Sequence, residues 1–149
     1  MGLTVRDDPK KVVDVAGRTW GAAVDGLALS LLLSARKHDD EPQSVSVAIH
    51  NRSPHEQRLL TRGWLNYFRV SVVDAQGVSV EMTPYGRESM KPERLPAASE
   101  VVLEPGQALE ADIPIGLLYE MRSGEFRVQA KCDAPGGGVI TSNEIQVKA

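Results

Sequence analysis

Few residues in this chain could do chemistry. The candidate metal ligands and nucleophiles are three histidines, His38, His50 and His55, and one cysteine, Cys132. His38 stands beside Asp39, Asp40 and Glu41, whose oxygens suit a hard cation, but the run lacks the glycine and distal glutamate of an EF-hand loop. It reads instead as a solvated hairpin tip. His50 and His55 lie either side of Pro54, with no ligand set of zinc-site spacing around them. A single thiol makes neither an intramolecular disulfide nor a Cys-based zinc site, so Cys132 is expected as a small apolar residue in or beside a strand. No GxSxG elbow is present, and Gly136-Gly-Gly138 is not followed by the Lys and helix of a phosphate loop. The carboxylate pairs Asp7/Asp8 and Asp39/Asp40 are sequence neighbours, whereas acid–base work needs two carboxyls held apart on rigid walls. The expectation is a chain that is not an enzyme and uses no metal or cofactor.

Binding chemistry is better represented. Arg52, Arg58, Arg62 and Arg69 accompany Trp64, Tyr67 and Phe68, residue types enriched at binding hot spots and able to stack on sugars or bases. The bland alternative puts Trp64 and Phe68 in the core with the arginines on its rim. A second set, Tyr85, Arg87, Met90, Lys91 and Arg94, falls within residues 84–99, where Pro84, Gly86, Pro92 and Pro96 interrupt any periodicity. That stretch is either a presented loop or a crossing between sheets.

The elements that must position these residues are strands. Leu27, Leu29, Leu31 and Leu33 alternate with Ala28, Ser30, Leu32 and Ser34. After the charged tip Arg36 to Pro42, Val45, Val47 and Ile49 resume the alternation, which predicts an antiparallel hairpin. Residues 56–64 read as a polar connection with Leu59 and Leu60 tucked at an edge. Phe68, Val70 and Val72 predict a third strand, and Asp74 to Gly77 a turn. Val78, Val80 and Met82 then predict a return strand. Glu104-Pro-Gly-Gln107 is a turn between two further strands, Gly116 to Met121 one helical turn, and Phe126, Val128 and Ala130 the next strand. Beyond the tip Asp133 to Gly138, a last strand runs through Ile140, Ile145 and Val147. About eight strands with no long helix predict an all-β, two-sheet antiparallel sandwich over residues 20–149. Residues 1–19 form an arm or, with Asp8-Pro9 as its cap, a short helix.

Composition agrees with one globular domain: 149 residues, 42% hydrophobic, 25% charged and only 5% aromatic, so the core must come from Val, Leu, Ile and Ala. A net charge of −3 supplies no broad basic field, which argues against nucleic acid as a partner. The longest apolar stretch, Leu27 to Leu33, is far short of the roughly 20 residues of a membrane span. Met1 to Lys11 has no apolar core or small-residue cleavage site, so an exported setting would require a signal already removed, and a cytoplasmic one none.

Several pieces resemble the immunoglobulin-like domains of uncharacterised bacterial exported and surface proteins. They are Trp20-Gly21 before Val24-Asp-Gly-Leu27, Asn51-Arg-Ser, Leu103-Glu-Pro-Gly106, Leu118-Tyr119 before Ser123-Gly-Glu-Phe-Arg-Val128, and Ser142-Asn-Glu-Ile145. The layout is also similar to that of the bacillary intracellular proteinase-inhibitor domains. A tyrosine that many such domains place at a corner is Phe126 here. The resemblance implies a binding module for a protein or glycan, or else an inhibitor that presents residues 84–99.

Overall fold

The computed structural model describes residues 10, 11, 15–36, 38 and 40–149. Its strands in chain order are β1 (Lys10–Lys11), β2 (Leu27–Leu33), β3 (Val45–Asn51), β4 (Gln57–Thr61), β5 (Arg69–Asp74), β6 (Ser99–Leu103), β7 (Ala108–Ile113), β8 (Glu125–Asp133), β9 (Val139–Thr141) and β10 (Ile145–Lys148). Four helical turns interrupt them: α1 (Trp64–Tyr67), α2 (Pro84–Ser89), a 3-10 turn at Pro92–Arg94 and α3 (Ile115–Leu118). The protein is mostly β, and every strand pairing among the described residues is antiparallel.

Two sheets share the core. The first has the order β1-β7-β3-β2; the second runs β10-β8-β5, with β9 beside the far end of β8. Inward residues Leu27, Leu29, Leu31, Val45, Val47 and Ile49 are fully or almost fully buried in one cluster with Val128, Ala130, Cys132, Ile140 and Val147. Each large aliphatic side chain in such a cluster contributes about 1.5–3 kcal/mol of burial energy. The open side of β2 is met by Gly21, whose N donates to Leu29 O at 2.9 Å, and by Asn143, whose side chain accepts from Leu31 N at 2.7 Å and donates to Leu31 O at 3.0 Å. Past the single Trp20–Ser30 bridge, a carboxamide thus takes the place of a neighbouring strand.

The outer face of the first sheet is covered as well. It is paved with small residues, Ala28, Ser30, Ser46, Ala48 and Ala108, all buried. Residues 15–24 cross it, with Val15 and Trp20 packed on Ala48 and Ala108. Arg18 reaches across the sheet to Ser30 Oγ, Ser46 Oγ and O, and Glu110 Oε2.

Past Asn51 the β3–β7 pair bends and continues as a separate β4–β6 ribbon. That ribbon corrects the sequence expectation at residues 56–64: Gln57–Thr61 is a strand rather than part of a connection, with Leu59 and Thr61 buried and Arg58 and Leu60 exposed. The strands number ten among the described residues, not about eight. The expected return strand at Val78 to Met82 is reduced to isolated bridges, Val73 to Ser79 and Met82 to Tyr119, because the chain leaves β5 to reach α3, where Thr83 N bonds Leu118 O. The proposed N-terminal helix would include Val12 and Val13, which lie outside the described residues; Lys10 and Lys11 pair with Glu110 and Leu109. Asp39 of the hairpin tip is also outside them.

Candidate functional site

Gly63 sits at φ 96°, a left-handed conformation that glycine adopts readily, and starts the single turn of α1. The turn drives Trp64 inward. Trp64 is 4% exposed and stacks on Phe68 with ring centroids 5.3 Å apart, while Tyr67 meets both rings edge-on. Trp64 and Phe68 are therefore core, and neither offers a face on which a ligand could stack. Arg52 leaves the cluster entirely, lying over the Trp20 ring and donating to His50 Nδ1 at 3.2 Å. Arg62 donates to the carbonyls of Pro96 and Pro92, which ties the 84–99 segment to the end of β4.

What remains is a groove of about 400 Å³ between the ribbon and the second sheet. Arg58, Leu59 and Leu60 of β4 form one wall. Asn66 and Tyr67 of α1 with Arg69 of β5 form the floor, and Asp133, Ala134 and Pro135 at the end of β8 close the other side. Arg58 is held by Glu100 at 2.7 Å and Glu56 at 2.9 Å. Arg69 meets Asp133 end-on, Nη2 to Oδ1 at 3.1 Å and Nη1 to Oδ2 at 3.3 Å. Leu60 is 69% exposed, an apolar side chain presented to solvent beside two guanidinium groups.

Behind the floor the Tyr67 hydroxyl donates to Asp133 O at 3.1 Å and lies within reach of the Cys132 thiol. Burial raises the Tyr67 pKa far above its ordinary value and pushes the Cys132 thiol up to about 12. Both groups stay protonated near neutrality, so the thiol is no nucleophile.

A larger cleft of about 640 Å³ lies at the opposite turn, where Asp74, Glu81, Glu120, Arg122 and Glu125 are among its walls. The Asp74 carboxylate there caps its own turn, accepting from Gln76 N and Val78 N. No cluster of three or more His, Cys, Asp or Glu among the described residues is arranged to hold a metal ion. Neither cleft has a histidine in its lining.

No protein-family model matches the chain, and none of the curated proteins compared with it matches. Two solved structures are similar in outline. The Northeast Structural Genomics Consortium target SoR45, an X-ray structure, matches at 12% identity over 86% of this chain and 90% of that one, with a TM-score of 0.43. The putative ApaA protein from Bordetella pertussis matches at 12% identity over 88% and 95%, with a TM-score of 0.39. Likeness at this level carries no argument about function.

The second sequence-predicted set forms no cavity wall with the first. Thr83 caps α2, accepting from Gly86 N at 2.9 Å, and buried Gly86 is pressed against the Leu118 backbone of α3. Tyr85 and Met90 are half-buried, and Arg87 donates to Met82 O. Lys91 and Arg94 both close on Glu88, at 2.7 and 3.2 Å. Of the twelve residues singled out from the sequence, only Arg58, Tyr67 and Arg69 line the groove. Sequence reasoning missed Leu60, Asn66, Asp133, Ala134 and Pro135. The one available signal was Leu60 sharing strand parity with Arg58, visible only once 57–61 is recognised as a strand.

Among the described residues, no helix is long and apolar enough to cross a membrane.

Proposed function

We propose that this chain is a non-catalytic binding module, an elaborated immunoglobulin-like sandwich that takes an extended segment of a partner protein into the groove beside β4. In support of the sandwich reading, the two larger sheets bury their apolar faces in one cluster, with the β4–β6 ribbon as an extension of the β3–β7 pair. The observation that carries the binding reading is the edge of β4 at the groove wall. Among the described residues only β6 pairs with it, so its other side remains available to a further strand. An added strand gains main-chain hydrogen bonds, and side-chain pockets beside the edge give selectivity. The groove volume lies inside the range of roughly 300–1,000 Å³ common for ligand sites. A protein segment is favoured over a glycan because burial of Trp64 leaves no broad aromatic platform for a sugar ring.

Residues 84–99 do not favour an inhibitor. They form short helical turns packed on α3 and folded around Glu88, unlike the extended protruding strand that occupies a protease subsite.

The test is panning of a linear peptide library against the immobilised full chain, with retained peptides mapped by amide shifts in ¹⁵N spectra. Enriched peptides are expected to move residues 57–61, 66–69 and 133–135, and to lose binding to Leu60→Asp. Enrichment that maps elsewhere, or none above the bare support, overturns the reading.

A further inference from the structure

We infer that the groove selects a carboxylate-bearing segment, with Arg69 as its receptor and Asp133 as an internal competitor that the ligand displaces. This rests on the groove being the binding seat, and it assigns the chemistry recognised there.

Among the described residues, the contrast between three of the side-chain carboxylate–guanidinium arrangements carries the inference. Arg18 and Glu110 meet at 2.9 Å with Arg18 only 5% exposed, and the other Arg18 nitrogens are bound to Ser30 and Ser46; this is a structural pair. Arg58 is clamped between two carboxylates at 2.7 and 2.9 Å, and neither Glu56 nor Glu100 lines the groove. Arg69 differs from both. Its partner Asp133 is itself part of the lining, the side chains are 51% and 67% exposed, and the two contacts, at 3.1 and 3.3 Å, are longer than the 2.7–2.9 Å usual for charge-assisted bonds. A pair so exposed contributes little and opens easily.

The planar fork of Arg69 is therefore presented in a geometry that already holds a carboxylate end-on through both terminal nitrogens. An incoming Glu or Asp can replace Asp133 on Arg69 one for one, the displaced Asp133 carboxylate passing into solvent, where it is already 67% exposed. With Asp133 turned out to solvent, the charged groups left in the lining are Arg58, already bonded to Glu56 and Glu100, and Arg69, the guanidinium that an incoming carboxylate can take. That local complementarity, with Leu60 beside it, fits an extended acidic peptide carrying alternate apolar residues.

The probe is the capped heptapeptide Ser-Val-Glu-Val-Glu-Val-Ser and its Gln counterpart, titrated into the full chain and followed by the amides of residues 58–60, 67–69 and 133–135. The Glu peptide should move these amides, bind about tenfold more tightly to Asp133→Asn and at least about tenfold more weakly to Arg69→Gln. The Gln peptide should bind wild type weakly and distinguish neither variant. Both substitutions are at exposed positions, and unchanged unfolding midpoints would confirm intact folds. If panned peptides occupy the groove but the Glu and Gln probes behave alike, the carboxylate assignment is overturned and the groove survives. If panned peptides do not occupy it either, both readings fall.

Discussion

The side-chain nitrogen of Asn51 donates to the carbonyl of Leu103 at 2.8 Å, joining positions 52 residues apart where the β3–β7 pair bends into the ribbon. The same nitrogen donates to His55 O at 2.9 Å, and its oxygen accepts from Ser53 N and Oγ. The Asn51 backbone bonds Gln107 O and Gly106 N, so both its main-chain and side-chain polar groups are used in full burial. Asn51→Ala would strand several of these partners, each at a cost of about 1–3 kcal/mol, partly offset by relaxation. The expected loss is about 2–4 kcal/mol in urea denaturation. A loss below about 1 kcal/mol would show that the bend does not depend on this side chain.

Arg18 anchors residues 15–24 to the sheet in a different manner. Its pKa is lowered by burial and raised again by Glu110, which leaves a charged group that depends on its partner. Arg18→Met leaves Glu110 facing the small-residue surface without a cation. Since Glu110 is 30% exposed, the cost should be about 2–3 kcal/mol, below that of a fully buried pair. Arg18→Met with Glu110→Gln should recover at least about 1 kcal/mol of that, as coupled neighbours do. Strict additivity would mean that the serine contacts, not the ion pair, hold the segment. The Trp20 indole, which donates to Val15 O at 2.9 Å, gives an NMR resonance that reports detachment independently of stability.

Legibility from sequence followed the number of independent local signals. The β2–β3 hairpin announced itself through period-two leucines and valines on both sides of a charged tip. Gly106, at φ 79°, fits the turn chemistry of Glu104 to Gln107, and residues 115–118 do form a helical turn. The ribbon strand β4 was hidden because one of its faces is solvent and the other carries only Leu59 and Thr61 into the core. Val78 to Met82 had the alternation of a strand and lacked a continuous partner, which no periodicity can show. The groove was illegible for a similar reason: Arg69 and Asp133 are 64 residues apart, and pairing them requires the β5–β8 register.

His50 gives the chain a pH response. Its pKa lies below the ordinary 6.5 because of partial burial and then the Arg52 cation, with a Gly106 backbone bond acting against both. Arg52 Nε donates to Nδ1, which requires that nitrogen to be unprotonated. A lowered histidine pKa means that the unfolded chain binds more protons, so stability rises with pH in that window. The His50 contribution should be complete above 6.5 and lost as pH falls through the folded-state value. Between about pH 8 and pH 5, the fall in thermal midpoint should be smaller in His50→Gln than in wild type. The Trp20 ring, 5.4 Å from His50, should titrate with it; identical pH profiles for the two proteins would rule the response out.

Cys132 should be inert in the folded chain and informative about the groove in front of it. The side chain is fully buried, and a thiol pushed up to about 12 is almost wholly protonated near neutrality. A disulfide reagent should therefore label the native protein only through opening events, and rapidly in denaturant. Stoichiometric labelling within minutes, with the native spectrum retained, would contradict this burial. Tyr67 both lines the groove and contacts the thiol, so its hydroxyl couples the two. Tyr67→Phe removes the donor that lowers the thiol pKa; labelling should then speed up only if the Tyr67–Asp133 bond was also holding the floor closed. A peptide seated against Tyr67 should slow labelling in proportion to occupancy, whereas one bound in the acidic cleft at the other turn should leave the rate unchanged.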